Sequence, residues 1–228
     1  MPTESLLLVH SPLLGPSSLA RLADAATSAE LPVALPDLTS IAKSANPHTD
    51  FCRIAIEAGR ELGNPPLVVG HSGAGAFLPA IGSGIGTVAS LVFVDAVVPP
   101  VEGTHRTSPA MLKMLDSVTD GGVLRRWIDW WPEETVAGLL PNEKDRAELA
   151  ADMPRLSRSF YDVDVAVPQD WSQARCVYLM LSDAYEAERR DAAERGWPTA
   201  SMDADHLAPH TQPERVLCEL LPLAGRFA

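Results

Sequence analysis

The alternation of short apolar segments with segments of helical composition constrains the fold of this chain more than any other feature. The apolar segments are residues 5–10, 33–38, 66–70 and 90–98. Between them, residues 19–30 are rich in alanine, and residues 49–62 place apolar side chains at helical spacing. Parallel strands need a crossover connection, usually a helix, so the alternation predicts an α/β fold with a mostly parallel sheet flanked by helices.

The alternation is interrupted after the fourth apolar segment. From about residue 99 to about residue 171 there is no strong strand pattern, and residues 108–118 and 123–131 favour helices. Strand and helix patterns then return and continue almost to the end of the chain. With 228 residues, 46% of them hydrophobic, we expect one domain, residues 1–228, with a helical insertion between its fourth and fifth strands.

Charge and composition argue against several classes of protein. The formal net charge of −12 disfavours binding to nucleic acid or to anionic membranes. No apolar run approaches the roughly 18–20 residues of a membrane span, and the first residues lack a signal-peptide pattern, so we expect a cytoplasmic protein. The three cysteines are far apart in the sequence, which predicts neither a disulfide framework nor a zinc site.

One serine lies between glycines at the end of the third apolar segment, in the sequence VVGHSGAG at residues 68–75. A tight strand-to-helix turn that exposes a nucleophilic serine needs small neighbouring residues, and this pattern is the nucleophile elbow. We expect Ser72 to be the nucleophile and the Gly73 N–H to face an oxyanion. The alternative is a glycine-rich turn that contains an incidental serine.

A nucleophilic serine needs a base and an acid that orients the base. His206 follows the last predicted strand and is the expected base. His210, next to the final helix, is expected at the surface or as a helix cap. Asp183 follows the fifth strand and is the favoured acid, and Asp95, after the fourth strand, is the rival.

These segments together resemble the α/β-hydrolase superfamily, in its short esterase and hydroxynitrile-lyase-like branch. The resemblance is carried by LLLVHSPLLG, LVVGHSGAG, LVFVDAVVP, VYLMLSDAY and MDADHLAPH, in the order that the family shows. It implies a helical lid at about residues 99–171 over the catalytic serine. It also implies chemistry without a metal or an organic cofactor.

The loop after the first strand departs from the family pattern. The family has His-Gly-X there, and the N–H of X is the second oxyanion donor, whereas this chain has His10-Ser11-Pro12. Proline has no N–H, so Pro12 at position X would remove that donor. The loop can shift so that the Leu13 N–H serves, the Ser11 side chain can donate, or the oxyanion is not stabilised in the usual way.

The predicted lid places tryptophans at helical spacing. Trp127 and Trp131 lie on one stripe of residues 124–131, which is compatible with core packing or with the wall of a pocket. With Met111 and His10, they are the side chains that we expect to bind substrate. The implied partner is a small, largely apolar molecule with one carbonyl at Ser72, and a homodimer is a possible assembly.

Three hypotheses about function follow. The first is a serine hydrolase that cleaves an ester, a thioester or a similar carbonyl compound by acyl transfer. The second, suggested by Pro12, is a lyase, epimerase or cyclase that uses His206 as a plain base. The third is a binding protein that keeps the pocket without chemistry, which the intact serine, histidine and acid disfavour.

Overall fold

The computed structural model describes residues 5–169 and 171–225, so that residues 1–4, 170 and 226–228 of the expected domain lie outside it. Its main sheet has six strands: β1 (Ser5–Val9), β2 (Val33–Ala34), β3 (Pro66–His71), β4 (Ser90–Val94), β9 (Cys176–Met180) and β10 (Thr199–Ser201). Their order in the sheet is β10-β9-β4-β3-β1-β2, and each pair is parallel. The expected parallel α/β sheet is therefore confirmed.

Nine α-helices are described. They are α1 (Ser17–Ser28), α2 (Pro47–Glu61), α3 (Leu78–Ile85), α4 (Pro109–Ser117), α5 (Glu133–Leu139), α6 (Glu143–Asp152), α7 (Glu186–Glu194), α8 (Ala208–Thr211) and α9 (Pro213–Leu223). Two small antiparallel ladders pair β5 (Thr104–His105) with β8 (Val165–Ala166) and β6 (Thr119–Asp120) with β7 (Val123–Leu124). None of the described helices is long and apolar enough to cross a membrane.

The central strands are buried along their whole length because helices cover both faces of the sheet. Every residue of β1, β3 and β4 is buried. Leu7 and Phe93 pack in one core cluster with residues of α2 and α3, and Leu6 and Leu8 pack in another with α1 and α9. This two-sided burial explains why the strands appear in the sequence as continuous apolar runs rather than as alternating patterns.

The segment between β4 and β9 contains α4, α5 and α6, but its residues 123–131 are not the expected helix. Gly121 and Gly122 have φ values of 57° and 80° and form the turn of the β6–β7 hairpin, which draws Leu124 into a strand. Only Trp127–Trp130 remain helical, as one 3₁₀ turn, and Pro132 follows closely. The helix prediction failed because the hairpin takes Val123 and Leu124 into a strand, and Pro132 favours the extended backbone that Trp131 adopts.

The parallel register gathers the carboxyl ends of the central strands at one edge of the sheet. Val9 pairs with Gly70, His71 with Val94, and Val94 with Leu179. The residues that follow β1, β3, β4 and β9 consequently emerge side by side. In open α/β sheets, ligands bind in the crevice at this edge.

Candidate active site

Ser72 follows β3 in a strained turn. Its φ of 58° lies in the left-handed region, which residues other than glycine rarely adopt, and a 3₁₀ segment, Ser72–Phe77, begins there. A Cβ on Gly75 would clash with the backbone oxygen of Val97, and the Ser72 carbonyl accepts a 3.2 Å hydrogen bond from Val97 N. Glycine at position 75 thus lets the turn lie directly against the backbone that follows β4.

His206 lies in the loop after β10, and its acid partner is Asp95. The His206 Nδ1–H donates to Asp95 Oδ2 over 2.7 Å, which leaves Nε2 free to act as a base. Asp183, the acid that the sequence pattern favours, is exposed and lies in the 3₁₀ turn after β9. Among the described residues it makes no hydrogen bond to His206, so the expected pairing is corrected to Asp95.

Asp95 is held by hydrogen bonds from the adjacent strand end. Its side chain is fully buried, Oδ1 accepts from the backbone N–H groups of Leu181 and Ser182 at 2.9 and 3.0 Å, and Oδ2 accepts from Ser182 Oγ at 2.6 Å. Burial acts to raise the pKa of Asp95. Hydrogen bonds from His206, Ser182 and Leu181 outweigh burial and keep that pKa below its usual value. Asp95 is therefore an ionised carboxylate at neutral pH.

His71, the last residue of β3, holds the His206 loop through a hydrogen bond to its backbone. Its ring lies 4.5 Å from the His206 ring, and its Nε2–H donates to the backbone oxygen of His206 over 2.9 Å. Burial and the neighbouring His206 lower the pKa of His71 to about 3, so the ring is neutral. The histidine next to the serine is a structural support in this arrangement.

Tyr185 is a member of the site that no sequence motif predicts. Its hydroxyl lies 3.2 Å from Ser72 Oγ, and its ring stacks on the His206 ring at 5.2 Å with an angle of 6° between the planes. No hydrogen bond joins Ser72 to His206 in the described part of the chain. The signal available in the sequence was only position, since Tyr185 follows β9 two residues after Asp183.

The loop after β1 lies beside Gly73. A Cβ built on Gly73 would lie 3.4 Å from both Pro12 Cδ and Ser11 Oγ. The Leu13 N–H donates to Ser11 Oγ over 3.3 Å, so this N–H is already engaged in a hydrogen bond. The Ser11 hydroxyl accepts that bond and can still donate its own proton to an oxyanion. Of the expected oxyanion donors, the Ser11 hydroxyl and the Gly73 backbone are the two that the structure brings together.

His10 does not reach the cavity, contrary to our expectation that it binds substrate. The ring is fully buried, its Nδ1–H donates to the Ser11 oxygen at 2.9 Å, and its Nε2 accepts from Leu38 N at 3.0 Å. Burial lowers the pKa of His10 and favours the neutral form. His210 is likewise buried rather than at the surface, with Nδ1–H donating to the Ser17 oxygen at 3.1 Å.

A cavity of about 900 Å³ opens above Ser72, with Ser11, Gly73 and His206 in its wall. Trp127, Trp131 and Met111, which the sequence predicts to bind substrate, line this cavity from the inserted segment. The Trp127 ring lies 6.2 Å from the His206 ring and 5.8 Å from the Trp131 ring. Trp127 therefore fits both interpretations of the tryptophan stripe, since it lines the pocket and also packs against the main core.

Comparison with known proteins connects this geometry to a family. Residues 6–219 match the model of a family described as the alpha/beta hydrolase family. A comparison with curated protein sequences finds no match.

Three solved structures share the fold over nearly their whole length. An extracellular alpha/beta-hydrolase from a Paenibacillus species is 14% identical, with a TM-score of 0.75 and coverage of 98% of this chain and 99% of that one. Tomato methylketone synthase I, in complex with 2-tridecanone, is 14% identical, with a TM-score of 0.74 and full coverage of both chains. A pyrethroid hydrolase from Sphingobium faniae is 16% identical, with a TM-score of 0.70 and coverage of 97% of each chain.

Proposed function

The chain belongs to the alpha/beta hydrolase family, and from that premise we propose that it is a serine hydrolase. The proposed reaction is acyl transfer from an ester, a thioester or a similar carbonyl compound to water. The observation that carries the proposal is the pairing of His206 with the buried carboxylate of Asp95 beside the strained Ser72 turn. A base held in this tautomer is what a serine nucleophile requires.

The proposed cycle has two stages. Ser72 Oγ attacks the carbonyl carbon, its proton moves to His206 Nε2, and the carbonyl π electrons move to oxygen. When the intermediate collapses, the bond to the leaving oxygen or sulfur breaks, and that atom takes the proton from His206. Water then attacks the acyl-enzyme with His206 as its base, which releases the acid and restores the Ser72 hydroxyl.

Ser11 is the proposed second oxyanion donor. The Gly73 N–H is the first donor, and Pro12 removes the backbone N–H that the family uses as the second. The contact of the Leu13 N–H with Ser11 Oγ supports this assignment, because accepting one hydrogen bond strengthens the hydroxyl as a donor.

We propose a small, largely apolar substrate. The supporting observations are the tryptophan and methionine side chains in the wall of the cavity and its volume of about 900 Å³. Two of the structural neighbours are named for apolar compounds, one holding the ketone 2-tridecanone and one a pyrethroid hydrolase. In this proposal the inserted segment, which forms part of the cavity wall, is the lid over Ser72.

A second candidate is a lyase, epimerase or cyclase with His206 as a plain base. It is favoured by Pro12 and by the hydrogen bond of Ser72 to Tyr185 rather than to His206. This candidate predicts turnover of the native substrate with no acyl group on Ser72.

Labelling with a fluorophosphonate, followed by intact mass and peptide mapping, tests the leading proposal. We expect one label per chain on Ser72, at a rate that falls steeply in His206→Ala and Asp95→Asn and little in Asp183→Asn. A folded wild-type protein that takes no label, or that takes it equally fast in His206→Ala, would contradict an activated serine. An ester and thioester panel then defines the acyl group.

A further inference from the structure

Tyr185 contacts both partners of the proposed serine–histidine pair. Its hydroxyl is within hydrogen-bond distance of Ser72 Oγ, at 3.2 Å, and its ring is nearly parallel to the His206 ring. It also lies in the wall of the cavity. Among the described tyrosines, only Tyr185 is within hydrogen-bond distance of Ser72, and the Tyr178 hydroxyl bonds to the backbone of Ala96.

The surroundings of Tyr185 keep its hydroxyl protonated. Burial raises its pKa to about 12, and the nearby carboxylates of Asp95 and Glu188 act in the same direction. A neutral phenol is a hydrogen-bond donor rather than a base at physiological pH. When Tyr185 donates to Ser72 Oγ, the proton of Ser72 remains free to move to His206.

We propose that Tyr185 is a catalytic residue whose hydroxyl donates a hydrogen bond to Ser72 Oγ and stabilises negative charge on that oxygen. This inference rests on the proposed serine mechanism and adds a donor to it. Ser11 and Pro12 lie against Gly73, where the carbonyl oxygen of a substrate would be held. Tyr185 lies on the His206 side and acts on the nucleophilic oxygen itself.

The proton balance of the mechanism is unchanged by this donor. During attack, the Ser72 proton moves to His206 Nε2 while the Oγ electron pair forms the bond to the carbonyl carbon. During deacylation, the bond between Oγ and carbon breaks, its electron pair returns to Oγ, and His206 returns the proton. Tyr185 keeps its own proton in both steps and donates to Oγ while the charge on it is greatest.

The variant Tyr185→Phe isolates the hydroxyl because it keeps a ring that can stack on His206. We expect the rate of fluorophosphonate labelling and kcat for an ester to fall by about 10- to 100-fold, the value of one hydrogen bond to a charged oxygen. KM should change little. The shape of the pH–rate profile between pH 5 and 9 should be retained, because the pKa of about 12 of Tyr185 lies outside that range.

Tyr161→Phe is the matched control, since it removes a second tyrosine hydroxyl from the cavity wall, and among the described residues Tyr161 makes no hydrogen bond to Ser72. Its losses should appear in KM. Tyr185→Ala, which also removes the stacked ring, should lose more activity than Tyr185→Phe. Thermal unfolding of each variant shows whether the fold is kept.

Two results would overturn the inference. One is Tyr185→Phe labelling as fast as the wild type or faster, which would mean that Tyr185 only holds the resting serine. The other is an equal loss of kcat in Tyr161→Phe. Ser72→Ala separates this inference from the proposed function: if labelling persists in Ser72→Ala, the serine mechanism itself fails, whereas labelling lost in Ser72→Ala but kept in Tyr185→Phe removes only the role of Tyr185.

Discussion

The sheet edge and the inserted segment build the same cavity in different ways. At the sheet edge, Asp95 is fully buried and accepts four hydrogen bonds from neighbouring elements. In the insertion, ion pairs such as Arg106–Asp164 join side chains that are 77% and 41% exposed, and such pairs add little stability. The sheet edge thus fixes the reacting groups through buried hydrogen bonds, and the insertion supplies an apolar wall to the cavity.

The largest effect should come from the buried acid. We expect Asp95→Asn to lower kcat by about 10⁴-fold, because an asparagine cannot hold His206 in the required tautomer as a carboxylate does. Steady-state kinetics on the best ester of the panel measures this loss, and thermal unfolding checks the fold.

Asp183→Asn is the matched control for that change. Asp183 follows the neighbouring strand β9 but is exposed and does not bond to His206. Its substitution should cost far less than that of Asp95. Equal losses in the two variants would contradict the assignment of the acid to Asp95 alone.

These two aspartates also show what a sequence pattern cannot distinguish. The four central strands β1, β3, β4 and β9 were predictable because two-sided burial gives them continuous apolar runs. The elbow was predictable because Gly75 has no room for a side chain. Asp95 and Asp183 both follow adjacent parallel strands, so their sequence positions are equivalent. Only the three-dimensional position of the His206 loop distinguishes them.

Other parts of the site depended on contacts that no sequence pattern encodes. His10 follows β1 as family histidines do, yet both ring nitrogens are engaged by the backbone. Tyr185 reaches Ser72 from a turn 113 residues away in sequence. Such pairings arise from the packing of separate loops and carry no local signal.

The next effect concerns the oxyanion donors at the sheet edge. Ser11→Ala should lower kcat by about 10²- to 10³-fold, the usual cost of removing one donor from an oxyanion hole. Ser18→Ala is the control, because Ser18 lies in α1 and its hydroxyl donates to the Gly15 oxygen, whereas Ser11 lies beside Gly73. A Ser11→Ala variant with unchanged kcat would show that the mechanism does not need this hydroxyl.

A smaller effect, and one on binding, should come from the inserted segment. Trp127→Ala should raise KM by about tenfold or more with a lesser change in kcat, since roughly 1.5–3 kcal/mol of apolar contact is lost. Trp131, which is 36% exposed, should show a weaker effect when changed to alanine. If Trp127→Ala lowered kcat and left KM unchanged, the division between a reactive edge and a binding wall would break down.

The smallest effect should appear where the insertion is fastened to the sheet domain. The Asp152 carboxylate, at the end of α6, accepts hydrogen bonds from Ser17 N at 2.8 Å and Ser17 Oγ at 2.6 Å, and so caps the start of α1 from outside that helix. Asp152→Ala should lower the free energy of unfolding by about 1–2 kcal/mol, the usual value of a helix cap, as measured by denaturant unfolding. Gly15→Ala should act similarly, because its methyl group would overlap the Asp152 carboxylate. Asp129→Ala, which removes only an exposed ion pair with Arg126, is the control, and its free energy of unfolding should stay within about 0.5 kcal/mol of wild type. If Asp129→Ala lost as much stability as Asp152→Ala, surface charges rather than this one cap would stabilise the insertion.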